Sequence, residues 1–262
     1  MLSVSGYHPK IVNLEFAFQS DHRLYLIMEY CPGGDLGNQI KLRNRMKNRF
    51  TEEEARKYIC EIIAALEFLH KNDIIFRDLK PENVVLTADG HVKLTDFGLS
   101  KEMVDEVQGN KSFVGSIAYL APEILKKQNH YKSLDWYLTG LLLYEMIVGQ
   151  PPYYKNNRKE LFENIMSGPL RIPQSMSMDA RDLILNLLNR NPKKRLGAGP
   201  EDANELKRHA FFKGIDWNVV DAGKLGMPPI DARREFKFNP AAEQAFQESE
   251  RLSKDNMTKC YA

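Results

Sequence analysis

Ile74-Ile75-Phe76-Arg77-Asp78-Leu79-Lys80-Pro81-Glu82-Asn83 sets an arginine, an aspartate, a lysine and an asparagine close together behind an apolar pair. Directly after it, Val84 to Leu86 and Val92 to Leu94 flank the turn signal Thr87-Ala88-Asp89-Gly90, which predicts a small hairpin. Asp96-Phe97-Gly98 follows the hairpin at once. Because a hairpin brings its two ends together, these polar groups converge. A carboxylate at Asp78 can orient an attacking hydroxyl and accept its proton, and Lys80 can neutralise charge on a transferring phosphoryl group. Asn83 and Asp96 offer hard oxygen donors of the kind Mg²⁺ takes, an ion that needs only one or two protein ligands beside substrate phosphates. The layout suits phosphoryl transfer.

Upstream, Ile11 to Phe18 and Leu24 to Tyr30 are rich in β-branched and aromatic residues and are separated by Ser20-Asp21-His22-Arg23, which predicts an antiparallel pair. Pro32-Gly33-Gly34 breaks the chain there, and the composition turns helical beyond it. Thr51 and Glu54 have capping-box spacing, and Ala55, Tyr58, Ile59, Ile62, Leu66 and Leu69 recur at helical period, so a long buried helix is expected from about 52 to 70. Leu134 to Val148, Lys159 to Met166 and Asp179 to Asn189 are further helical segments, punctuated by Gly149, Pro151-Pro152, Gly168-Pro169 and Pro192. After Pro229 the chain turns polar. The expected organisation is a small β unit over residues 1–31, a mainly helical unit over 32–230 and a surface tail over 231–262.

The chain is 262 residues long, enough to bury a real core, and its 43% hydrophobic and 27% charged residues exclude disordered, collagenous and membrane classes. A net charge of +2 gives no broad electrostatic footprint for nucleic acid or an anionic membrane. Cys31, Cys60 and Cys260 are odd in number and widely spaced, which favours a reduced, cytoplasmic setting over a disulfide framework or a metal cluster. The first residues lack a signal-peptide pattern, and the apolar runs fall short of a membrane span.

Arg77-Asp78, Lys80, Asn83, Asp96-Phe97-Gly98 and Ala121-Pro122-Glu123 together resemble, in order, the catalytic-loop, magnesium-loop and activation-segment motifs of the eukaryotic protein kinases. The likeness sharpens to the AGC group of serine/threonine kinases. Met28-Glu29-Tyr30-Cys31-Pro32-Gly33-Gly34-Asp35 resembles that group's hinge, Asp135-Trp136 the start of its central helix, and Arg195-Leu196-Gly197 a motif late in its large lobe. The resemblance runs from residue 8 to about 240. It implies an α+β, bilobal fold with a truncated β small lobe and a mainly α-helical large lobe. It also implies ATP and Mg²⁺, with the Glu29 and Cys31 backbones on adenine, Asp35 on ribose, and Val85 and Thr95 on the floor of the pocket. Asp78 would be the base, Lys80 the charge neutraliser, and Asn83 and Asp96 the metal ligands.

Further implications of the likeness concern control and substrate. Lys80 with Pro81-Glu82, and Ser116 in the activation segment, are similar to the serine/threonine rather than the tyrosine version. Ser112 aligns with the family's activating phosphosite, to be modified by an upstream kinase, with Arg77 as its ion-pair partner. Glu123 and Arg195 would form a buried structural ion pair. Asp35, Glu82 and Glu145 match acidic positions that face basic residues ahead of the phosphoacceptor in a protein substrate.

The likeness also has gaps. A protein kinase uses a glycine-rich strand-turn-strand, a strand lysine and a helix glutamate to hold the nucleotide phosphates; none is found here, and Lys10 follows His8-Pro9 at a place unsuited to replace the lysine. The expectation is a chain that begins near the end of the glutamate-bearing helix and keeps only the strand pair leading into the hinge, with an exposed edge near Phe18 and Leu26. Phe76, Ile117-Ala118 and Tyr137-Leu138-Thr139 depart from the commonest residues at their positions, and no Phe-x-x-Phe motif follows Phe236-Lys237-Phe238-Asn239. The rival expectation is a non-catalytic, pseudokinase-like interaction module.

Overall fold

The computed structural model describes residues 8–19, 24–96, 117–128 and 131–230. Two short antiparallel sheets lie against a mainly helical body. Strands β1 (Leu14–Gln19) and β2 (Leu24–Met28) pair with a register irregularity between Leu14 and Phe16, and Phe18 stacks on Tyr25 at 4.8 Å. The strand expected from Ile11 starts later. Ile11 and Val12 are buried in the main core, so the chain first pairs there: Val12 N donates to Leu94 O and Leu94 N to Lys10 O, both at 2.9 Å. Only past Asn13 does it turn to β2, where Glu29 N donates to Asn13 O.

Helix α1 (Leu36–Arg45) begins where the Asp35 carboxylate accepts from Asn38 N at 2.8 Å. Helix α2 (Glu52–Lys71) has the capping box its sequence predicts, Thr51 Oγ1 accepting from Glu54 N and Glu54 Oε2 from Thr51 N. Strands β3 (Val84–Leu86) and β4 (Val92–Leu94) form the expected hairpin, with Val84 and Leu86 turned into the core. After them come the short α3 (Pro122–Leu125), then α4 (Ser133–Val148), α5 (Arg158–Ser167), α6 (Met178–Leu187) and the short α7 (Ala203–Lys207) and α8 (Trp217–Asp221).

α4 is buried almost all round, as its lack of a polar face requires, and it is the axis of the body. α2 packs on one side and α6 on another. At Gly140 the approach to α6 is so close that a Cβ would stand 2.8 Å from Leu187 Cβ. Gly149 ends α4 at φ 89°, the left-handed cap that residues with a Cβ resist. No helix among the described residues is long and apolar enough to cross a membrane. The residues from 231 onward, expected as a tail, lie outside the described ones.

Candidate active site

The loop before β3 owes its shape to Asp135, fully buried in the first turn of α4. Its two oxygens accept from the backbone N–H groups of Phe76, at 2.8 Å, and Arg77, at 2.7 Å. That anchorage accompanies a left-handed backbone at Arg77, φ 68°, immediately ahead of Asp78. Asp78 Oδ2 then accepts from both Lys80 Nζ and Asn83 Nδ2 at 2.7 Å, and the same amide reaches the Asp78 carbonyl at 2.8 Å. Asn83 sits in the 3₁₀ turn Pro81–Asn83, and its carbonyl accepts from Thr95 N at 3.0 Å, which draws Asp96 in beside it.

Catalytic and metal-ligand candidates are therefore brought together. With the Asn83 Nδ2 group committed to Asp78, Asn83 has its amide oxygen to offer, and among the described residues the Asp96 carboxylate takes no hydrogen bond. Two such oxygens fit Mg²⁺ held partly by phosphates, and no cluster of three or more His, Cys, Asp or Glu able to cage a metal exists among the described residues. Phe97 and Gly98 lie outside them, as do Ser112 and Ser116. Arg77 Nε is buried with no partner among the described residues.

At the hinge, Asp35 and Val85 pair across an isolated bridge, while Gly33 N donates to Leu86 O and Leu86 N to Gly34 O. Val85 lies opposite Lys93 in the hairpin, and Lys93 Nζ reaches Glu29 at 2.7 Å. Thr95 Oγ1 lies 4.0 Å from Met28 Sδ. Of the residues expected around a nucleotide base and ribose, Asp35 and Val85 are joined by that bridge and Glu29 is tied to the hairpin through Lys93, while Asp35 also caps α1. Lys10 is elsewhere: its ammonium is buried against Glu61 at 2.6 Å, and Glu61 also takes His91 Nδ1 and Val92 N.

Asp35 Oδ1 and Glu82 Oε1 flank Gly37, within 3.2 and 3.6 Å of where its Cβ would stand. Glu145, on α4, accepts from the Tyr119 hydroxyl at 2.6 Å. Burial pushes its carboxyl up to about 7, with help from the nearby charge of Glu82 and opposition from the Tyr119 hydrogen bond. Glu123 and Arg195 form the expected pair, bidentate at 2.8 and 3.0 Å and both buried, with the guanidinium also over the Tyr137 ring.

The sequence matches the protein kinase domain family over residues 1–212. This chain belongs to that family. Among curated proteins the kinase domain is 44% identical over 237 residues to ribosomal protein S6 kinase alpha-3 of Homo sapiens, a match covering 89% of this chain and 32% of the relative. It is 47% identical over 220 residues to ribosomal protein S6 kinase beta of Caenorhabditis elegans, covering 84% of the chain and 39% of the relative. Ribosomal protein S6 kinase alpha-1 of Homo sapiens is 43% identical over 239 residues, with 90% and 30% covered. The chain therefore spans about a third of the length of these relatives.

Several residues that shape this kinase site carry no signal in local sequence. Tyr119 and Lys93 meet Glu145 and Glu29 only in the fold. His70, near the end of α2, places Nε2 2.9 Å from Asp135 Oδ2 and Nδ1 2.8 Å from Asp202 Oδ2. Burial alone would lower its pKa, but the hydrogen bonds and charges of Asp135 and Asp202 raise it from 6.5 to about 9. A lone helical histidine in a sequence gives no hint of partners 65 and 132 positions away.

Proposed function

We propose that this kinase domain transfers the γ-phosphoryl group of ATP to serine or threonine of a protein substrate. The observation that carries the reading is the Asp78 carboxylate: one oxygen is held by Lys80 and Asn83, and the other, which takes no hydrogen bond among the described residues, is offered to a substrate hydroxyl. Asp78 orients that hydroxyl and takes its proton as the oxygen attacks phosphorus and the bond to ADP breaks. Lys80 lies beside the transferring group as a fixed positive charge. Asn83 and Asp96 would hold Mg²⁺, which neutralises phosphate charge when bound. Glu29, Cys31, Asp35, Val85 and Thr95 take the nucleoside.

Asp35, Glu82 and Glu145 favour a substrate with basic residues ahead of its phosphoacceptor, and relatives named for ribosomal protein S6 make that protein the first to try. Activation follows when an upstream kinase phosphorylates Ser112, for which Arg77 Nε, without a partner among the described residues, is a suitable donor. Intact-mass measurement checks this: Ser112→Ala should lose one phosphate of uptake. A cytoplasmic setting accords with the free thiols of Cys31 and Cys60.

The test of the main reading is calorimetry of Mg²⁺-dependent ATP binding to the 262-residue chain, with Asp96→Ala as control and transfer to a basic serine peptide followed in parallel. Binding that the substitution abolishes, together with transfer, is expected. Folded protein that neither binds nor transfers would favour the interaction-module reading.

A further inference from the structure

Asp202, just before α7, has φ 47° and ψ −119°, a conformation open to glycine and adopted by a residue with a side chain only under constraint. Its carboxylate is divided between two buried rings: Oδ1 accepts from Trp136 Nε1 at 2.7 Å and Oδ2 faces His70 Nδ1 at 2.8 Å. The His70 ring is 1% exposed and lies edge-on to Trp136 at 5.0 Å. Its far nitrogen meets the same Asp135 oxygen that accepts from the Phe76 N–H. Carboxylate oxygens only accept, and neutral imidazole has one N–H, so only the imidazolium satisfies both sides of this ring.

The charged groups set against His70 are Asp135 from α4, Asp202 from the segment ahead of α7, and Lys132 ahead of α4. Lys132 touches the histidine through its backbone carbonyl, at 2.6 Å, and reaches on to Asp73. The ring itself therefore sees a carboxylate at each nitrogen.

We propose that Asp202 is a positioning residue, holding His70 as a two-sided donor and thereby fixing the Asp135 carboxylate that carries the backbone of Phe76 and Arg77. The segment entering α7 then governs the geometry of the Asp78 loop across the width of α2 and α4. The strained backbone at Asp202 is the cost of bringing its carboxylate to both rings; a glycine would relax the turn and lose both bonds. The consequence for catalysis rests on the kinase reading above, whereas the structural link does not.

The experiment uses the full chain with Asp202→Asn, which keeps a side chain of the same shape without the charge, and Asp202→Gly, which removes the strain and the side chain together. Ring NMR of His70 and amide hydrogen exchange at Phe76, Arg77 and the central α2 residue Ile62 are read in each, beside kcat and KM for phosphate transfer. The expected result is a His70 titration moved at least about one unit down and exchange at Phe76 and Arg77 about tenfold faster in both variants, with Ile62 protection kept. kcat should fall with KM for ATP unchanged, and the alkaline limb of the kcat profile should move to lower pH. Unchanged exchange at Phe76 and Arg77 would overturn the proposal. So would loss of Ile62 protection in both variants, since Asp202 would then be holding the fold and not the loop. A wild-type chain that transfers no phosphate sinks the kinase reading alone, because the exchange and titration arms still decide the link.

Discussion

One Asp78 oxygen accepts from both Lys80 and Asn83, which under the proposed function leaves its partner oxygen as the base. Asp78→Asn keeps the shape of the loop and removes the base, so transfer should fall about 10²–10⁴-fold while calorimetry shows nucleotide affinity retained. Glu145 makes a pH-dependent prediction. With its carboxyl pushed up to about 7 by burial, its charge is present above that pH and fades below it. KM for a peptide carrying a basic residue ahead of its serine should therefore fall between about pH 6 and pH 8. The Tyr119 hydroxyl favours the charged form, so Tyr119→Phe should move that transition to higher pH.

Among the elements, α2 shows how unequal two polar contacts can be. Its capping box is exposed, and Thr51→Ala should cost about 1 kcal/mol in denaturant unfolding. Glu61, ten residues into the same helix, is fully buried and accepts from Lys10, His91 and the Val92 backbone. Glu61→Ala strands the Lys10 ammonium, which is 2% exposed, and should cost about 3–5 kcal/mol. The double replacement Lys10→Met with Glu61→Leu should recover a large part of that loss, since no charge is then left unpaired. This pair stands beside the backbone bonds of Lys10 and Val12 with Leu94, which hold the chain ahead of β1 to the body and explain why that strand begins at Leu14 and not at Ile11.

At the scale of the whole molecule, α4 is the member on which distant segments meet. Asp135 holds the loop before β3, Trp136 holds Asp202, and Ser133 O accepts from Arg195, which in turn pairs with Glu123. His70 joins α2 to this set, and its pKa rises on folding from 6.5 to about 9. A group raised in this way stabilises fully below its unfolded value, and the contribution disappears as pH climbs through the folded one. The stability at stake is on the order of 3 kcal/mol, present below about pH 6.5 and lost through about pH 9. Denaturant midpoints taken between those limits should fall with rising pH, and His70→Gln should flatten the slope.

Motifs whose members are neighbours in the chain could be read before any coordinates. The residues from Arg77 to Asn83, the hairpin behind them and Asp96 are joined by local turns, so their spacing keeps them near one another, while the shape of the loop is set by Asp135. The helices follow from apolar period and caps, as Thr51 and Glu54 show for α2. Glu123 and Arg195, 72 positions apart, were legible only through family likeness, because nothing local connects them. His70, Asp135 and Asp202 were not legible as a group at all. Their partnership depends on α2, α4 and the turn before α7 packing so closely that three ionisable groups lose water and must satisfy one another. Local spacing reaches only as far as a few turns of chain; mutual burial, which sets the charge of His70 and the strain at Asp202, exists only once the helices have met.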